Sequence, residues 1–155
     1  MNFSALFAYP TEAAPEAVVD QPFLAHWNHN QWQKLFALTQ TYRYSVGDWV
    51  IQQGDIDRAF YLVAFGRLEV IGASTGNASQ RIALIEAGEI VGEQSFLDGR
   101  PQSVGVRAVT EAEAMRLSFE AFERLTAREP GLALDLALEL GRMVSLRLHI
   151  LTTVR

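Results

Sequence analysis

From Tyr42 to Ser118 the chain is a succession of short β-rich runs cut by glycine, asparagine and aspartate, a pattern that cannot wind into long helices. "YRYSVGDWVIQQGD" sets apolar residues between Gly47 and Gly54. "RAFYLVAFGRLEVIG" is two β-rich runs split by Gly66, and "STGNAS" is a turn cluster. "QRIALIEAGEIVG" returns as a strand ending in two glycines, and "SVGVRAVTEAEAMRLS" reads as two more short strands. Strands at this near-regular spacing predict a small antiparallel barrel or jelly roll.

Helical periodicity flanks this region. Trp32, Leu35 and Phe36 share one face from His29 onward. After Ser118, a good N-cap, Phe119, Phe122 and Leu125 fall on one side of a predicted helix. Pro130 suits the first position of the next helix, where its missing N–H costs nothing. That last helix carries two apolar stripes: Leu132, Leu136, Leu140, Val144 and Leu151, and then Leu134, Leu138 and Leu148. One stripe can lie on the barrel. The other needs a partner, most simply the same helix (129–152) of a second copy. Residues 1–22, rich in Ala, Pro and Glu, predict a loosely ordered N-terminal arm before a domain of residues 23–155.

A formal charge of −5 argues against a nucleic-acid or anionic-membrane partner. No cysteine means no disulfide framework, thiolate metal site or cysteine nucleophile, and fits a cytoplasmic location. No secretory signal or membrane-spanning run is visible. A metal-binding barrel enzyme would need histidines on its strands, but none lies between His29 and His149. His26 and His29 read as a helix-entry cap and a surface residue. Asp55/Asp57 and Glu86/Glu89 read as solvated turn acids, and no nucleophile–base pair is apparent, so no enzyme is expected.

The order of elements, with Gly47, Gly54, Asp55, Gly66, Gly88 and Gly92, resembles the cyclic nucleotide-binding domain family, its catabolite-activator-like sensors in particular. The resemblance runs from about Phe23 to the end. It implies a mainly β fold with flanking helices: an eight-stranded antiparallel jelly-roll barrel closed by two C-terminal helices. The family's phosphate-binding cassette is matched by "VGEQSFLDGRPQSVGVRA" at Gly92, Glu93, Ser95, Pro101, Ser103, Val106 and Ala108. By that resemblance Glu93 accepts from a ribose 2′-hydroxyl. The amides of Gly92, Gln94 and Ser95 face the cyclic phosphate, and Ser103 adds its hydroxyl or amide.

Three positions depart from the family pattern. Gln102 stands where the phosphate arginine is expected, Val104 replaces a small alanine, and Gly105 replaces Thr or Ser. Glutamine lacks both the charge and the planar fork of arginine. Arg100, Arg107 and Arg147 are candidates to supply the charge. Their plainer readings are a turn tip, a water-facing strand residue and a dimer-flank residue. Two functional readings stand. One is a sensor of cAMP, cGMP or a related small phosphorylated ligand, with a degenerate cassette. The other is a dimeric protein-interaction module that no longer binds cyclic nucleotide. No DNA-reading module is expected after the last helix. Output is therefore expected through the dimer contact or an unknown protein partner.

Overall fold

The computed structural model describes residues 22–72 and 80–153 of the chain, so the predicted arm and the "STGNAS" turn lie outside it, apart from Pro22. Helix α1 (His29–Phe36) leads into strands β1 (Gln40–Tyr44), β2 (Trp49–Ile51), β3 (Ala59–Phe65), β4 (Leu68–Gly72), β5 (Gln80–Ile85) and β6 (Ile90–Val91). The six-residue helix α2 (Glu93–Asp98) follows. Strands β7 (Gly105–Ala108) and β8 (Ala112–Ser118) and helices α3 (Phe119–Arg128) and α4 (Pro130–Thr153) complete the order. The strands form two four-stranded sheets, β1-β8-β3-β6 and β2-β7-β4-β5, paired antiparallel throughout. This is the eight-stranded jelly roll with flanking helices that the sequence implied.

Two apolar layers hold it together. Between the sheets lie Ile51, Tyr61, Val63, Leu68, Val70, Ile85 and Val106. On the other face of the first sheet, Phe60, Leu62, Ile90 and Leu117 meet the helices through Phe96, Leu125, Leu136 and Leu140. Strand β3 contributes to both layers. Its run Ala59–Val63 is therefore buried without alternation, as expected of a strand covered on both faces.

The helix ends follow local chemistry. Asn28, not His26, caps α1: its side chain accepts from Gln31 N–H while the Gln31 side chain accepts from Asn28 N–H, a capping box. His26 instead meets Asp135 on α4 at 2.8 Å, and Trp27 Nε1 also donates to Asp135. The short asparagine side chain reaches the N3 amide of its own helix, which explains why it takes the cap. Ser118 caps α3 by accepting from Ala121 N–H, and Pro130 opens α4. Leu24 sits at φ 53 with its N–H donated to the buried Glu139 carboxylate, which anchors the entry turn to α4.

The two stripes of α4 part as predicted. Leu136 and Leu140 are fully buried, whereas Leu134, Leu138 and Leu148 are 62%, 65% and 47% exposed. Full burial of each inward leucine contributes ~1.5–3 kcal/mol. The side chain of Leu151 lies outside those described. No helix among the described residues is long and apolar enough to cross a membrane.

Where the chain crosses from β3 to β4, Gly66 has φ +84, and a Cβ there would sit 2.2 Å from the Glu111 carbonyl oxygen. Gly66→Ala is expected to destabilise the fold by ~1–3 kcal/mol from backbone conformation, with the overlap adding to it. An unchanged urea midpoint would count against this packing.

Candidate functional site

The cassette begins at a backbone constraint. Gly92 follows β6 with φ 84, and a Cβ there would lie 2.9 Å from the Ala59 carbonyl oxygen and 3.2 Å from Ile51 Cδ1. Only glycine takes this left-handed turn so close to β3 without strain. The turn carries Glu93 into the interior, where it is 1% exposed. Gly92 has no side chain to cap α2, and the first N–H bonded within that helix is Phe96, to Gly92 O at 3.2 Å. The amides of Glu93, Gln94 and Ser95 thus lie in the part of a helix that offers donors to an anion.

The other end of α2 is tied down. Gly99 N–H donates to Ser95 O at 2.8 Å, and the Ser95 hydroxyl donates to Arg100 O at 2.6 Å. From the entry to β3, Arg58 Nε donates to Phe96 O at 2.9 Å and Nη2 to Leu97 O at 3.2 Å. A cation at a helix C-terminus is the favoured electrostatic arrangement.

Arg147 of α4 reaches Glu93. The two are ion-paired, and Arg147 Nη2 donates to Ile90 O at 3.0 Å with the residue 5% exposed. The second Glu93 oxygen, Oε2, is fully buried and has no hydrogen-bond partner among the described residues. Nearby Glu89 has its carboxyl pushed up from the ordinary range by burial, opposed by the Glu86 N–H and by the charge of Arg147. Arg147 is therefore an interior residue, not one flanking a dimer seam. The signal was available in its spacing, since it lies three and seven residues after Val144 and Leu140 of the inward stripe.

The remaining predicted residues divide. Gln102 is 5% exposed, and its Nε2 donates to Asp57 O at 3.2 Å, while its backbone bonds to Asp55 O and Gly54 N–H. Val104 is buried in the inter-sheet core. Ser103 and Gln94 are half-buried, and Arg100 is exposed at the turn. Arg107 points away from the barrel interior, where it donates to Glu69 at 3.0 Å (Nε) and 2.6 Å (Nη2). Its guanidinium lies 5.2 Å from the Trp49 ring, so it is not simply water-facing. Trp49 also crowds Gly105: a Cβ there would lie 2.7 Å from the indole.

Asp57 is not a solvated turn acid. Arg116 binds both of its oxygens and the Tyr61 hydroxyl donates to Oδ2 at 2.9 Å. The hydrogen bond from Arg116 holds the Asp57 carboxyl below the usual range against the opposing effect of burial. Burial, with Asp57 beside it, pushes the Tyr61 hydroxyl well up. Asp55 and Glu89 do accept turn amides, from Gln52 and Glu86.

Comparison with known proteins places this arrangement. The family profile of the cyclic nucleotide-binding domain matches residues 42–129. The chain belongs to that family. It is 35% identical over 99 residues to a cyclic AMP receptor protein of Thermus thermophilus, covering 64% of this chain and 46% of that protein. A cAMP-dependent protein kinase regulatory subunit of Emericella nidulans is 29% identical over 111 residues, covering 71% of this chain and 26% of the relative. The chain thus spans less than half the length of either. The crystal structure of a cyclic nucleotide-binding domain from Methylobacillus flagellatus superposes with a TM-score of 0.77 at 25% identity, over 88% of this chain and 76% of the other.

In this cyclic nucleotide-binding domain, the buried pair joins the cassette to the last helix. Removing one member of such a pair leaves a charge stranded in low dielectric, at a cost of roughly 3–5 kcal/mol. Arg147→Ala is expected to destabilise the domain by about that much in urea titrations, and Glu93→Gln combined with Arg147→Met to recover most of it. A single variant as stable as the parent would mean that the pair does not form.

Proposed function

We propose that this chain is a small regulatory module whose cassette takes a cyclic nucleotide, cAMP or cGMP, with reduced affinity. The observation that carries the reading is Glu93: a carboxylate 1% exposed behind a left-handed glycine, with one oxygen unbonded among the described residues. Buried acceptors are normally satisfied, and an unsatisfied one suits an incoming donor such as a ribose hydroxyl. The amides that open α2, with Ser103 nearby, suit the cyclic phosphate. Gln102 supplies no positive charge, and the Arg147 charge from α4 is paired with Glu93. A hydrogen bond to a charged group contributes ~1.5–3 kcal/mol. Its loss at Gln102 weakens binding by roughly one to two decades.

A second reading has specific support. The Gln102 amide is already spent on Asp57 O, and Val104 fills the inter-sheet core. Both features favour a domain that keeps the fold and acts through protein contacts alone. Calorimetric titration separates the two readings. On the first, cAMP or cGMP binds in roughly the micromolar to millimolar range. Glu93→Ala weakens that binding, and Gln102→Arg tightens it about ten- to hundredfold. No heat from either nucleotide, with Gln102→Arg equally silent, supports the second. Saturable binding untouched by Glu93→Ala would mean that the ligand sits outside the cassette.

The same module is proposed to act as a homodimer through the last helix. Leu134, Leu138 and Leu148 form an exposed apolar stripe, and between them Gly141 has open space around it. Such a stripe is a liability in water unless covered. A second α4 crossing at Gly141 would cover it, and ligand-dependent movement of α4 through Arg147 would then alter the dimer surface. Light scattering is expected to report a dimer. Leu138→Glu with Leu148→Glu is expected to yield a folded monomer, since the seam would bury unpaired charge. A native monomer at high micromolar concentration would sink the dimer.

A further inference from the structure

A cavity of about 580 Å³ opens between the start of β1, the segment entering β3 and the first turns of α3, and no residue of the cassette lines it. We propose that it is a second binding site, for an organic anion that carries an apolar group. Its volume falls in the range of small-molecule sites.

The charges facing it do not cancel. Arg116 is consumed: Nε and Nη2 bind Asp57, and Nη1 donates to Gln40 Oε1 at 3.0 Å. Two other lining arginines lack a carboxylate among the described residues. Arg58 lies 3.5 Å over the Phe119 ring and gives Nε and Nη2 to carbonyls, leaving Nη1 with no hydrogen bond among those residues. Arg124, one turn after Glu120 on α3, makes no ion pair or hydrogen bond among them. Glu120 is the lining acid left to oppose these two. The site is therefore net cationic, and guanidinium groups suit carboxylate and phosphate oxygens.

The apolar half comes from Leu38, Phe119 and Ile56. Ile56 is 87% exposed, which leaves a large aliphatic side chain in water beside the arginines. An anion alone would not cover it. A carboxylate or phosphate monoester on an aromatic or aliphatic body would meet both halves.

The site is also wired to the cassette. The guanidinium of Arg58 that faces the cavity holds the last carbonyls of α2, and the neighbouring Asp57 carbonyl accepts from Gln102. A ligand that draws on Arg58 acts on both ends of that contact, and such coupling between sites is reciprocal.

Phenyl phosphate titrated into the full chain, followed by amide NMR shifts, tests this. Saturable shifts are expected at Arg58, Phe119 and Glu120, with smaller ones relayed to Phe96 and Leu97. Arg124→Gln, an exposed substitution on a helix surface, is expected to weaken the binding about fivefold. Inorganic phosphate is expected to bind more weakly, and equal binding would overturn the apolar half of the assignment. No saturable shift at these amides, or saturation indifferent to Arg124→Gln, would overturn the site. So would shifts centred on Glu93 to Ser95, because the cassette would then have taken the probe.

Discussion

A carboxylate held almost fully away from water must be neutralised or paired, and much of this domain follows from how Glu93 meets that demand. Its partner comes from the far end of the chain. Arg147 lies on α4, and a second contact it makes, to the Ile90 carbonyl, belongs to the strand that delivers the cassette. The position of the last helix and the electrostatics of the cassette are thus one problem. Moving α4 strands a charge. The arrangement is possible because Gly92 adopts a left-handed turn pressed against β3, which leaves no room for a side chain.

A second junction sits where the chain enters β3. Asp57 and Arg58 are adjacent, yet their groups serve five parts of the molecule. The Asp57 carboxylate binds Arg116 of β8 and Tyr61 of β3, and its carbonyl accepts from Gln102. Arg58 holds the end of α2 and stacks on Phe119 at the start of α3. Gln102 belongs to this network through its bond to the Asp57 carbonyl. Glutamine can make that bond to a backbone carbonyl without bringing a charge that would need its own counter-ion.

Much of this was legible in the residues. The cuts at Gly47, Gly54, Gly66, Gly88 and Gly92 each fall at a positive-φ position. Ser118 and Pro130 mark helix starts, and the two leucine stripes of α4 face where their spacing said they would. The failures share one cause. Neighbours in sequence suggest only local roles for His26, Asp57, Arg107 and Arg147, yet each finds its partner far away, in Asp135, Arg116, Glu69 and Glu93 respectively. A polar side chain alone in a segment looks solvated until the fold brings it a counter-charge. Arg147 carried a warning, because it interrupts an apolar stripe that had to face inward.

Backbone conformation and apolar period are local properties. They reside in glycine's freedom at positive φ, in the reach of a cap side chain and in the repeat of leucines along a helix. From these the sequence by itself determined a small antiparallel barrel or jelly roll and its closing helices, whereas the cassette was legible only through its resemblance to the family's motif. Charge pairing is not local. Coulombic partners are chosen by proximity and burial, and both exist only after the strands have paired and α4 has docked. Only the tertiary structure could decide that Arg147 enters the cassette, that Gln102 is spent on Asp57, and that Arg58 and Arg124 face a cavity without carboxylates of their own.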